Sequence, residues 1–154
     1  MIMDHEFYIN RCCILANKSQ TSNEIPVGSL IVYNNIIIAE SHNLSITNND
    51  PTAHAEINVI REVCKNTNNY RINNLILYTS LEPCLMCIAV ACEARIKSIV
   101  FGAYADHNKN IESKFHYLKK EFNLNHDIKF IGGILELNCS QIIKNFFKVK
   151  RGNM

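Results

Sequence analysis

The chain has 154 residues, 47% of them apolar and 19% charged, which suits one folded domain with its own hydrophobic core and excludes a disordered polymer. Its formal net charge is only +2, so bulk charge does not mark it for nucleic acid, and no apolar run approaches the roughly 20 residues of a membrane-spanning helix. Met1-Ile2-Met3-Asp4-His5-Glu6 lacks the basic-then-apolar order of a secretory signal, so a cytoplasmic protein is expected.

In chain order, residues 4–17 space Phe7, Cys12 and Leu15 for one buried helical face. Residues 20–24 are polar and read as a loop. Two β-branched runs, 27–33 and 36–40, flank Asn34-Asn35 and predict a hairpin. Asp50-Pro51 reads as a helix start, because proline suits the first helical position, and that helix is expected to reach about residue 65. A strand over 75–79, a helix opened by Glu82-Pro83 and ending near Arg95, and a strand over 96–101 closed by Gly102 follow. A helix over 110–122, a strand over 127–131 and a final helix over 137–149 complete the pattern. Strands alternating with helices after a hairpin predict an α/β sandwich with helices on both faces of one sheet. The seven cysteines are an odd number without a secretory signal, which argues against a disulfide framework. Cys84 and Cys87 carry metal or redox spacing; the other five read as small core residues or exposed free thiols.

Two short segments concentrate the chemistry. His54-Ala55-Glu56 stands near the start of one predicted helix and Pro83-Cys84-Leu85-Met86-Cys87 at the start of the next, with polar Asn43 in the loop ahead of them. Cys84 and Cys87, three apart, face one way on a helix. In a first turn, free N–H groups and the helix dipole favour thiolate, the form that binds zinc. His54 adds a neutral nitrogen. Three protein ligands are one fewer than zinc's usual four, the arrangement of a catalytic site that admits water. Glu56 lies about 200° around a regular helix from His54, so both face one metal only if His54 stands at the helix entrance. Glu56 then reaches water at the metal without ligating the metal, placed for general acid–base work. Two alternatives exist for the cysteine pair. A redox pair needs a thioredoxin-like context, with the pair following the first strand. A structural zinc site needs a fourth ligand, which Cys64, Cys92 or Cys139 could supply. Glu82 reads as an N-terminal helix charge or a supporting residue, and Leu85 and Met86 as packing.

His54-x-Glu56 with Pro83-Cys84-x-x-Cys87 resembles the signature of zinc deaminases that act on bases. Together with Glu24-Ile25-Pro26-Val27-Gly28, Asp50-Pro51-Thr52-Ala53 before His54, Leu81-Glu82 before Pro83, Arg95-Ile96, Phe101-Gly102-Ala103 and Phe146-Phe147-Lys148-Val149-Lys150-Arg151, it makes the sequence closely similar to the bacterial tRNA-specific adenosine deaminase family over about residues 5–151. The resemblance implies a cytidine-deaminase-like fold, a three-layer α-β-α sandwich on a five-stranded mixed sheet, as a single domain over residues 1–154 and as a homodimer. It implies one Zn2+ per subunit on His54, Cys84 and Cys87, Glu56 as proton shuttle, and Asn43 against the target base. The implied partner is a tRNA anticodon loop, whose wobble adenosine is hydrolysed to inosine. The tail fits this physically: Lys144, Lys148 and Arg151 share one helical face, while Cys139, Ile142, Ile143 and Phe146 form an apolar stripe on another. The basic face suits phosphates and Phe147 suits stacking on an unpaired base, the ordinary alternative being a solvated face and a core phenylalanine. The chain departs from the family after Gly102-Ala103, where Tyr104-Ala105-Asp106 carries the acid one place late and the usual glycine is absent from residues 107–110. Rival functions are a deaminase of free bases or nucleosides, of the guanine or cytosine type, and a silent zinc module that binds a partner protein.

Overall fold

In the computed structural model, which describes residues 3–105 and 107–153, α1 (His5–Ser19) runs into a 3-10 turn (Gln20–Ser22). There follow β1 (Gly28–Tyr33), β2 (Ile36–His42), α2 (Ala55–Thr67), β3 (Ile76–Leu81), α3 (Leu85–Glu93), β4 (Ser98–Ala103), α4 (Ile111–Phe122), β5 (Lys129–Ile131) and α5 (Glu136–Gly152). The Asp4 carboxylate starts α1 by accepting the Phe7 N–H at 3.0 Å. The Asn34-Asn35 hairpin forms as expected, both residues at positive φ, 47° and 63°, as its tight turn requires.

The five strands make one mixed sheet in the order β2-β1-β3-β4-β5. β1 is antiparallel to β2 and β3, while β3 and β4, and β4 and β5, are parallel. The parallel pairs require crossovers, which α3 and α4 supply. Alternation along the strands splits the core in two. Ile31, Leu77, Ile99 and Phe101 pack with Val59, Ile88, Ala91 and Phe115 of α2, α3 and α4. Leu30, Val32, Tyr78 and Val100 pack with Ile9 and Cys12 of α1 and Cys139 of α5. The result is the expected α-β-α sandwich.

Two glycines set the contact between the sheet and the α1–α5 layer. A Cβ at Gly28 would lie 2.1 Å from the Cys12 carbonyl oxygen, and one at Gly102 would lie 2.2 Å from Cys139 Sγ. No side chain fits at either place. The buried Tyr78 hydroxyl is satisfied by His5 Nδ1 at 2.9 Å.

Asp50-Pro51 does not open a helix. The Asp50 carboxylate accepts the Thr52 N–H at 2.8 Å and the Thr52 hydroxyl at 2.6 Å, an Asx turn that keeps the chain bent until Ala55. The next helix likewise begins at Leu85, two residues past Pro83, and ends at Glu93 rather than Arg95, whose φ of 63° cannot continue a helix. The 20–24 segment, expected as plain loop, holds the 3-10 turn closed by Asn23 in the left-handed region.

Candidate active site

The late helix starts decide the geometry of the site. His54 is the N-cap of α2 and Cys84 the N-cap of α3, both with extended backbone (ψ 151° and 169°). Each therefore projects off the regular spiral, the condition under which His54 and Glu56 can face one point. Cys87 sits in the first turn of α3, fully buried. His54 Nδ1 lies 3.6 Å from Cys84 Sγ and 3.5 Å from Cys87 Sγ, and the two sulfurs are 3.6 Å apart. A tetrahedral zinc with sulfur at about 2.3 Å and nitrogen at about 2.0 Å has edges of about 3.8 Å between sulfurs and about 3.5 Å between sulfur and nitrogen. The triangle fits. Among the described residues, His54, Cys84 and Cys87 are the group of possible metal ligands within reach of one another; Cys64, Cys92 and Cys139 are not part of it, which removes the structural four-ligand alternative. The hydrogen bond with Cys87, aided by His54, takes the Cys84 thiol down to about 5, while the Cys87 thiol is pushed up by that contact and by its burial.

Glu56 is the second residue of α2 and only 4% exposed. The Thr79 hydroxyl of β3 donates to its Oε1 at 3.2 Å. Burial raises its pKa above the usual carboxylate value, the direction that suits a group alternating between base and acid. A pocket of about 160 Å³ opens over these residues, lined by Ile25, Val27, Asn43, Leu81 and Glu82 beside His54, Ala55, Glu56 and Cys84. Asn43 is buried: its Oδ1 accepts the Ser45 N–H and hydroxyl at 3.3 and 2.9 Å, and its Nδ2 donates to the Ile25 carbonyl at 3.3 Å.

Four of the five residues in the Glu24-to-Gly28 segment acquire a reason. Buried Glu24 accepts the Thr47 N–H at 2.7 Å and pins the loop that leads to His54. Ile25 and Val27 wall the pocket, and Gly28 admits α1. Glu82 is not a helix charge, since α3 begins three residues later. Its Oε2 accepts the Ala105 N–H at 2.9 Å, and Lys114 lies 3.7 Å from its Oε1. It thereby ties the wall of the pocket to the β4–α4 loop in which the sequence departs from the family; Asp106 of that loop lies outside the described residues. Thr79 was invisible in the sequence, one more hydroxyl in a β-branched run. Phe147, Lys148 and Arg151 are exposed on α5 and do not line the pocket of their own chain. Phe146 rather than Phe147 is the buried member of the pair; Phe147 is 40% exposed and meets Phe146 edge-on at 5.3 Å.

Residues 2–103 match the family described as the cytidine and deoxycytidylate deaminase zinc-binding region. The tRNA-specific adenosine deaminase of Haemophilus influenzae is 44% identical over 138 residues, covering 89% of this chain and 79% of that protein. This chain belongs to the tRNA-specific adenosine deaminase family. The guanine deaminase of Bacillus subtilis is also similar, 40% identical, but over only 73% of this chain and 72% of its own. A solved structure from studies of A-to-I editing by tRNA:A34 deaminases superposes on this member of the family with a TM-score of 0.80 at 31% identity, covering 88% of this chain and 98% of that one. The family's zinc chemistry and the ligand triangle agree, so this adenosine deaminase relative is a zinc-dependent hydrolytic enzyme with one zinc per subunit.

Proposed function

We propose that the enzyme converts the wobble adenosine of a tRNA anticodon loop to inosine, releasing ammonia, and that Glu56 carries the protons. The observation that carries this is a buried carboxylate, held by Thr79, beside a three-donor zinc site that leaves the carboxylate out of the ligand set. Zinc supplies Lewis acidity there, bringing the pKa of water toward about 7. His54, Cys84 and Cys87 hold the metal. The pocket accepts a single base, so the adenine leaves its stack to enter it. Ile25, Val27 and Leu81 exclude bulk water around the ring, and Asn43, with one amide N–H given to Ile25, keeps its other N–H for the base. Glu56 takes the proton of the attacking water, places it on the adenine ring nitrogen next to C6, and passes the second proton to the departing ammonia. Lys148 and Arg151 meet phosphates of the loop and Phe147 stacks on an unpaired base. The protein works as a single-domain subunit of a cytoplasmic homodimer, where tRNA is found.

The test is mass spectrometry of tRNA incubated with zinc-loaded protein. Inosine at the wobble position is expected, and its absence alongside ammonia release from free guanine or cytosine would move the assignment to the free-base deaminases. In Glu56→Gln, zinc content stays at one per subunit while turnover falls by at least about 10²–10⁴-fold, the usual worth of positioned proton transfer; undiminished turnover would remove Glu56 from the mechanism.

A further inference from the structure

On the face of the sheet away from the α2 and α3 layer, α1 and α5 lie together, and a cysteine from each meets its counterpart between them. Cys13 Sγ and Cys139 Sγ are 3.4 Å apart, about 1.4 Å longer than a disulfide bond. All seven cysteines are free thiols in this state. The two partners differ in access. Cys139 is 1% exposed, pressed against β4 where Gly102 lacks a side chain. Cys13 is 7% exposed and lines an open surface groove of about 540 Å³, where the side-chain amides of Asn10, Asn17, Asn138, Gln141 and Asn145 join Leu137 and Ile142. Its neighbour Cys12 is fully buried and does not line the groove.

We infer that Cys13 and Cys139 are a peroxide-responsive pair, Cys13 the site of attack and Cys139 the resolving thiol, whose disulfide clamps α5 onto α1. The Cys13 thiolate attacks one oxygen of hydrogen peroxide; the O–O bond breaks, Cys13 becomes a sulfenic acid, and the departing hydroxide takes up the thiol proton as water. Cys139 then attacks the Cys13 sulfur, the S–O bond breaks, and the hydroxyl leaves with the Cys139 proton as a second water. Two thiols and one peroxide give one disulfide and two waters. The more exposed Cys13 meets the oxidant first and the more deeply buried Cys139 resolves it. Small polar oxidants reach Cys13 from the groove, whereas Cys139 is 1% exposed and does not line it.

The experiment exposes the full-length zinc-loaded protein to a modest molar excess of hydrogen peroxide, alkylates it under denaturing conditions and maps its peptides by mass spectrometry. The expected product joins the Cys13 and Cys139 peptides with loss of two hydrogens, while zinc-held Cys84 and Cys87 remain alkylatable. Recovery of Cys13 and Cys139 both as alkylated thiols, or of Cys13 joined to a different cysteine, overturns the inference. In Cys139→Ala the sulfenic acid has no resolving partner, so labelling of Cys13 by dimedone rises at least about tenfold over the unsubstituted protein; equal labelling of the two proteins also overturns it. The peptide map of the unsubstituted protein decides the question even if the variant does not fold.

Discussion

At Gly102 one missing methyl group lets β4 receive the Cys139 sulfur, and at Gly28 another lets β1 receive the α1 backbone. A Cβ at Gly102 must displace both Cys139 and the Ser80 carbonyl 2.8 Å away, so Gly102→Ala is expected to lower unfolding stability by about 1–3 kcal/mol in denaturant titration, the range of an overpacked core. Glu24 gives a second expectation. Burial alone would raise its pKa, but the backbone N–H groups of Thr47 and Ile46 outweigh burial and hold it below its ordinary 4.5. A depressed carboxylate pKa contributes stability above the unfolded value, and that stability is lost as pH falls through the folded value. The thermal midpoint of Glu24→Gln should therefore lie below that of the parent at pH 6–7, and the difference should shrink as pH falls below about 4.5. An unchanging difference would mean that Glu24 acts by shape rather than charge. The His54–Cys84–Cys87 group was legible because one imidazole and two thiols at fixed short spacings leave few other readings. Thr79 and Glu24 were not, because their partners come from segments 23 residues away and only folding pairs them.

The two helix N-termini show what the sequence conveyed and what it withheld about elements. Proline before each motif marked a nearby helix start correctly, but the Asx turn at Asp50 delays α2 to Ala55, and it is that delay which puts His54 on the N-cap. Element order and the hairpin turn followed from periodicity and β-branched runs; boundaries moved wherever a side chain competed with the backbone. Zinc on this pair of caps ties together two helices whose metal ligands are 30 residues apart in sequence. Chelation, or His54→Ala, should thus remove the metal and also lower the thermal midpoint by several degrees, since binding free energy here is folding free energy. A variant that loses zinc with no change of midpoint would show that the α2–α3 layer stands without it.

For the whole molecule the charge distribution matters more than the total of +2. Lys144, Lys148 and Arg151 are exposed on α5, whereas the pocket is largely apolar around its ligands. The buried stripe of that helix proved to be Cys139 and Phe146, with Ile142 and Ile143 half-buried. The sequence placed Phe146 on the apolar stripe but left Phe147 open between stacking and core, because adjacent residues differ by only about 100° on a helix. Deleting residues 148–154 removes two lysines, an arginine and no pocket residue. Activity on tRNA should fall at least about tenfold, and what remains should depend less steeply on salt because fewer phosphates are contacted, while zinc content and any slow turnover of free adenosine stay unchanged. Equal loss on both substrates would place the tail in fold maintenance instead.

The entry of α2 also works as a frame of reference for the chemistry. One residue inserted between Ala55 and Glu56 would leave the sheet, the sulfur ligands and the basic tail in place. It would rotate the carboxylate by about 100° and move it about 1.5 Å along the axis, out of line with the metal. The interval His54-Ala55-Glu56 is therefore a place where length, more than side-chain identity at the middle position, cannot vary.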